Sequence, residues 1–432
     1  MDSNWLKGSN FTSLIRSEYG FAGCLVLKDG LTMKGIGFGY PTYTEGEVVF
    51  NTGMVGYTEA LTDPSYRGQI LCLTYPMIGN YGVPDFNLKD EFGLPKFFES
   101  TSIQVRGLII QNLSTSASHW TSIRTLDEWL YDQKIPGIYG VDTRELTKRL
   151  RAYGVMMGAI NVNAIGISKR SVKSAAVGGK IRSIAQGTKL SVPSIKEQLE
   201  GSSYEGVNFM PEVSTEEAKF YDPVVEDSKS SNKNRIVLLD TGTKFSIIRN
   251  LLSLGFSVVR VPWDTDYHSL KVYDPVGVVI SNGPGDPEIC TATINTAKKL
   301  IEESIPTLGI CLGNQILALA AGAKTYKLKY GHRGQNKPCL DKNSNTTYIT
   351  SQNHGYGIDA LSLHKTDFTT WFYNPDDKTI EGIKHNSKPI IGVQFHPEAS
   401  PGPYDCMFVF QRFKDIIKNC YNRTTEPKDN HH

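Results

Sequence analysis

The run Gly309-Ile310-Cys311-Leu312-Gly313 constrains this chain more tightly than any other. A Gly-x-nucleophile-x-Gly run requires a strand that feeds directly into a helix, through a turn sharp enough to push one side chain out of the fold. The flanks fit. Pro306-Thr307-Leu308 reads as a short buried strand, and Gln315-Ile316-Leu317-Ala318-Leu319-Ala320 as a helix that stops near Gly322. The expelled side chain is a thiol. At a helix N-terminus it faces aligned N–H groups and a positive dipole end, which favour the thiolate. A cysteine beside one glycine reads as a core residue. Two glycines and a strand–turn–helix context make Cys311 a candidate nucleophile.

The region around the elbow alternates. Ile236-Val237-Leu238-Leu239 is a continuous apolar strand of the kind parallel sheets contain. A helix over 245–254 stopping at Gly255, strands over 257–261 and 276–280, a helix over 291–303 and then the elbow strand follow. Repeated β-α-β implies a doubly wound, mostly parallel sheet with helices on both faces, and ligands bind such sheets beyond the C-terminal strand ends. Upstream, Asp29-Gly30 between two apolar runs predicts a hairpin, further strands are expected at 47–50 and 70–74, and Asp142 and Glu145 predict a capped helix ending at Gly154. That first region is therefore mixed α/β. Between the two lies a connector with a helical stretch near 195–199, ending in the polar run Glu226–Asn234. The expected division is an extension (1–20), an N-terminal domain (21–161), a connector (162–234), the doubly wound domain (235–419) and a polar tail (420–432).

Composition removes several classes of function. Forty-six basic and 44 acidic residues nearly cancel, so no charge imbalance points to nucleic acid or an anionic membrane surface. No apolar run is long enough to span a bilayer. Seven widely spaced cysteines make no disulfide framework, and no Cys-x-x-Cys or His-x-x-x-His spacing suggests a metal, so none is expected. The first residues lack a secretory signal pattern, leaving the cytosol as the default location.

A cysteine nucleophile needs a base, and the base an orienter. The run Ile390–Phe395 reads as a strand delivering His396 to the same sheet edge as Cys311, and Pro397 turns the chain so that Glu398 can reach the imidazole. Two further segments are expected to complete a pocket as loops. Ser281-Asn282-Gly283-Pro284-Gly285-Asp286-Pro287 can present N–H groups to a developing oxyanion, as can Leu312 after the nucleophile. Ser351-Gln352-Asn353-His354-Gly355-Tyr356, beside a strand at 347–350, offers polar groups suited to a zwitterionic amino acid.

These motifs resemble the class I (triad) glutamine amidotransferases. The first region narrows the likeness. The segments Phe50–Tyr66, Tyr75–Gly82 and Gly140–Thr147 resemble the amino-terminal domain of the small subunit of carbamoyl-phosphate synthetase, and the match covers about 21–415. Asp90-Glu91-Phe92-Gly93 and Ser118-His119-Trp120 lean towards the eukaryotic pyrimidine-pathway form, in which this glutaminase part is fused ahead of the synthetase. The resemblance implies attack by Cys311 on the glutamine carboxamide, His396 as general base and then acid, and Glu398 as its orienter. It implies oxyanion N–H groups from Gly283 and Leu312, and contacts to glutamine from Gly285, Gln315, Asn353, Gly355 and Tyr356. Gly53 stands where many relatives place a serine that touches glutamine; Asn314 replaces the usual histidine, and Tyr356 a phenylalanine. L-glutamine is the implied substrate. The implied partner is the synthetase large subunit or fused synthetase domains, which use ATP, bicarbonate and magnesium. No Gly-x-x-x-x-Gly-Lys-Ser/Thr loop is present, so this chain is expected to hold no cofactor. The alternatives are the arginine-pathway small subunit, a cysteine peptidase on a similar sheet, and a non-catalytic docking or regulatory subunit.

Overall fold

The computed structural model describes residues 21–164, 190–224 and 234–425, so the expected N-terminal extension and nearly all of the polar run at 226–234 lie outside the described residues. The chain divides into two units that interleave along the sequence. Val55–Arg67 and Phe86–Gln104 group with the C-terminal unit, while Val105–Tyr204 stays with the first. The linear partition expected at 161 and 234 is therefore crossed. Contacts between distant segments define a compact unit, and the composition breaks used to place boundaries do not report them.

In the first unit, β1 (Phe21–Leu27), β2 (Thr32–Gly39), β3 (Tyr43–Asn51), β4 (Gln69–Leu73), β5 (Gly107–Ile109), β6 (Pro136–Tyr139) and β7 (Met156–Ala164) close a barrel in the order β1-β7-β3-β4-β5-β6-β2. Closure leaves no unpaired sheet edge. The Asp29-Gly30 hairpin is present: Gly30 has φ 92° and Leu31 N–H donates to Asp29 Oδ1 at 3.0 Å. Helix Thr143–Tyr153 starts at Asp142, whose side chain accepts from Glu145 N–H at 2.8 Å, and ends at Gly154. The expected return arm of that cap is replaced by an ion pair from Glu145 to Lys148 at 3.5 Å, and the reciprocal capping box forms instead at Thr125 and Glu128. The helical stretch foreseen in the connector is Val192–Glu200. It buries Ile195 and Leu199 against Val26 and Ala159 of the barrel.

The second unit holds a ten-stranded sheet. Its strands are β8 (Lys219–Tyr221), β9 (Arg235–Asp240), β10 (Ser257–Pro262), β11 (Gly277–Ile280), β12 (Thr307–Ile310), β13 (Thr325–Asp341), β14 (Thr346–Ile358), β15 (Phe368–Tyr373), β16 (Ile380–His385) and β17 (Ile390–Val393). The order is β8-β10-β9-β11-β12-β17-β16-β15-β13-β14. Strands β10, β9, β11, β12 and β17 pair in parallel, and this part carries the elbow. Beyond β17 the sheet continues as an antiparallel arm, and β8 closes the other edge antiparallel. Alternation within β9 shows the two faces. Ile236 and Leu238 pack with Phe245, Ile248, Phe410 and Phe413, whereas Val237 and Leu239 pack with Leu300, Leu312 and Ile316. Both faces of this strand are covered, which is why it reads as an unbroken apolar run. After β9 the chain steps to β10 on one side and to β11 on the other, so the strand order reverses at β9, the position at which ligands bind such sheets. Helix Phe408–Thr425 continues past Asn419, so the expected polar tail begins inside a helix. No helix among the described residues is long and apolar enough to cross a membrane.

Candidate active site

The elbow is made by close packing. A Cβ on Gly309 would stand 2.5 Å from the Gly313 carbonyl oxygen, and one on Gly313 would stand 2.1 Å from the Ile280 carbonyl oxygen. Neither position can carry a side chain while helix Leu312–Ala320 lies over β11 and β12. Cys311 takes φ 55° and ψ −101°, a conformation rare for a non-glycine residue, with its N–H donating to Val393 O at 2.8 Å. Strain of this kind is maintained when the surroundings fix it and often accompanies function. The sulfur is buried; apart from the His396 imidazole, its hydrogen-bond neighbours are Asn353 O and Gln394 Nε2, each at 3.7 Å.

Val393, bonded to the elbow, ends β17. Three residues later His396 is anchored by its N–H to Ser351 O at 2.9 Å. Its Nδ1 donates to Glu398 Oε1 at 2.6 Å, which leaves Nε2, partnered by no oxygen or nitrogen, for the Cys311 sulfur. Glu398 Oε1 also accepts from Lys244 Nζ at 2.9 Å, and Lys244 donates to Ser400 O at 2.8 Å. Imidazole, carboxylate and ammonium are all buried. Burial by itself would lower the pKa of His396, but the Glu398 carboxylate and the Cys311 sulfur outweigh it and raise it. Burial would likewise raise Glu398, yet Lys244 and His396 hold it below the usual carboxylate range. Lys244 stays charged despite burial because Glu398, Glu99 and Asp63 surround it. The arrangement is an imidazolium held by an anion that is itself held by a cation.

The remaining expected residues fall in two groups. Gly283 follows β11, where a Cβ would lie 2.0 Å from Thr241 O and 2.7 Å from Leu312 Cδ2, so the loop and the first residue of the elbow helix meet only because this residue is glycine. Gly285 has φ 87°. The polar cluster 351–356 is not the end of a hairpin. It lies inside β14, where Gln352, Asn353, His354 and Tyr356 pair with β13 and register shifts fall at Ser351 and Gly355. Strand structure here comes from the long two-stranded pairing, which the short apolar run at 347–350 did not disclose. Within it, Asn353 Nδ2 donates to Asp63 Oδ2 at 2.8 Å, Tyr356 O accepts from Gln315 Nε2 at 2.8 Å, and Gly355 lies against the Arg333 guanidinium. Gly53 belongs to the first unit, where its N–H donates to Asn51 Oδ1 at 2.6 Å; the other expected site residues lie in the second.

Three functional candidates escaped the sequence reading. Lys244 lies four residues past the end of β9, at the expected ligand edge, which is the signal that could have found it. Asp63 accepts from Asn353 and also from Asn282 Nδ2 at 3.4 Å, so it joins the loop after β11 to β14. Gln394 reaches the sulfur itself. The structure also gathers His332, His354 and Glu381, whose possible metal-ligand atoms lie within 4.8 Å of one another. Protein groups already partner these atoms. His332 bonds Glu381 at 3.2 Å and Asp377 at 2.7 Å, His354 bonds Tyr356 O at 2.8 Å and Gln352 Oε1 at 3.3 Å, and Glu381 accepts from Thr379 at 2.9 Å and Gln352 at 3.1 Å. The cluster is a buried hydrogen-bond network that ties together the strands bearing Asn353.

Residues 237–416 match the family described as Glutamine amidotransferase class-I, the class that this elbow and sheet define. Residues 25–160 match Carbamoyl-phosphate synthase small chain, CPSase domain. Among similar proteins, the carbamoyl phosphate synthase small chain of Pyrococcus furiosus is 47% identical over 92% of this chain and 98% of its own length. That of Saccharolobus solfataricus is 42% identical over 91% and 97%. The multifunctional protein pyrABCN of Emericella nidulans is 41% identical over 94% of this chain, which spans 18% of that much longer protein. The chain belongs to the carbamoyl-phosphate synthase small-chain family.

Proposed function

We propose that this chain is the glutaminase component of a glutamine-hydrolysing carbamoyl-phosphate synthetase. The observation that carries the reading is the His396–Glu398–Lys244 chain at the end of the strand that hydrogen-bonds the Cys311 elbow. The Cys311 thiolate attacks the side-chain carbonyl carbon of L-glutamine. The resulting oxyanion is met by the N–H groups of Gly283 and Leu312. His396 delivers a proton to the nitrogen, the C–N bond breaks, and ammonia leaves a γ-glutamyl thioester. His396 then takes a proton from water, which adds to the thioester; collapse returns glutamate and the thiolate. Gln315, Gly285, Asn353, Gly355 and Tyr356 hold the amino acid end of the substrate, and Gly53 is a weaker candidate because it has no hydroxyl to offer.

Ammonia passes to a synthetase partner, a separate large subunit or fused domains, where ATP, bicarbonate and magnesium are used. No cofactor is assigned to this chain. The likeness of Asp90–Gly93 and Ser118–Trp120 to the fused eukaryotic form favours pyrimidine biosynthesis in the cytosol. The test is ammonia release from glutamine by the chain with and without synthetase. Cys311→Ala should abolish it, and an electrophilic glutamine analogue should label Cys311 alone. Turnover of peptides in place of glutamine, or an unimpaired alanine variant, would reject the reading.

A further inference from the structure

The side chain of Gln394 is fully buried and one end of its amide is already committed. Its Oε1 accepts from Gln315 Nε2 at 3.1 Å and from Asn314 Nδ2 at 3.4 Å. Two donors at the oxygen fix which way the amide faces, so the end directed at Cys311 Sγ, 3.7 Å away, is the N–H₂ group. The other neighbour of the sulfur is a carbonyl, Asn353 O. The two neighbours suit different states of the sulfur. A thiol can donate to Asn353 O, whereas a thiolate has nothing to donate and finds only repulsion there. The Gln394 N–H strengthens as the sulfur becomes anionic, because a hydrogen bond to a charged acceptor is about twice as strong as a neutral one. The backbone is fixed as well, with Gln394 N–H donating to Glu381 O at 2.9 Å.

We propose that Gln394 is a further catalytic residue, whose side-chain N–H holds the Cys311 sulfur in its ionised, attacking position. The same amide is linked through Gln315 to the Tyr356 carbonyl, so the strand that offers Asn353 and Tyr356 to the substrate and the nucleophile share one run of amides. This inference rests on Cys311 being the nucleophile. The charged groups around the sulfur are His396 and, behind it, Glu398 and Lys244; Gln394 adds a dipole and no charge.

The experiment uses the full chain and two variants of nearly unchanged volume, Gln394→Leu and Gln394→Glu. Alkylation of Cys311 by iodoacetamide and kcat/KM for glutamine hydrolysis are followed against pH, with thermal unfolding as the check on folding. Loss of one hydrogen bond to a charged atom predicts, for Gln394→Leu, a fall in kcat/KM of roughly 10- to 100-fold and a rise of about one to two pH units in the midpoint of alkylation. Gln394→Glu should move the midpoint further, because a carboxylate stands where the donor was. If Gln394→Leu does not fold, the Glu variant alone carries the test. Folded variants with the parental alkylation midpoint overturn the role of Gln394. Cys311→Ala is the separate control: if it still hydrolyses glutamine, the nucleophile assignment fails whatever Gln394 does.

Discussion

At the residue scale, the His396 imidazole is held by a relay of charges reaching well beyond the motif that announces it. His396 and Glu398 stand two residues apart and could be read together. Lys244 comes from another strand end and was marked only by its place just past β9, yet it supplies the cation that keeps the fully buried Glu398 carboxylate ionised. Replacing it with an apolar residue leaves that carboxylate short of one partner. Lys244→Met should cost about 3 kcal/mol, the low end for breaking a buried pair because His396 remains. Denaturant midpoints would report the loss, and kcat should fall more than KM rises as the imidazole loses its fixed orientation. Asp63 bonds the strand proposed to hold the substrate. With Asp63→Ala, Asn353 and Asn282 both lose a buried acceptor, and KM for glutamine should rise about tenfold with a smaller change in kcat, as steady-state kinetics would show.

At the scale of elements, the elbow depends on backbone approach. The oxygen of Ile280 lies where a Gly313 side chain would begin, so Gly313→Ala must push helix Leu312–Ala320 off β11. A loss of about 1–3 kcal/mol is expected, read as a lower unfolding midpoint, together with reduced activity as Leu312 N–H leaves its place. The strand–turn–helix pattern was legible because both glycines, the apolar strand and the helix lie in one continuous stretch, Thr307–Ala320. The antiparallel arm was not. Strands β13 and β14 mix polar and apolar residues, and their identity comes from pairing with each other over much of their length, information that no single stretch contains.

At the scale of the whole molecule, one buried network should give stability a pH dependence on the alkaline side. Burial alone would lower the pKa of His332, but Asp377 and Glu381 raise it to about 9. A group raised on folding stabilises fully below its unfolded value, about 6.5, and that contribution fades as pH climbs through the folded one. Melting temperature should therefore decline between about pH 6.5 and 9, and His332→Asn should make that decline shallower, with the raised His396 supplying the remainder, as scanning calorimetry across the range would reveal. The interleaving of the two units belongs to this scale too. A reader of the sequence assigns 55–67 to the first region by position, but the chain there is part of the second unit and brings Asp63 with it. By itself the sequence determined the class of chemistry, because a sharp elbow, a histidine at a strand end and a neighbouring carboxylate are local patterns with local causes. Only the tertiary structure decided what surrounds them. Lys244, Asp63 and Gln394 gain their partners from segments far along the chain, and burial in a shared interior gives their charges and dipoles an effect that none would have alone.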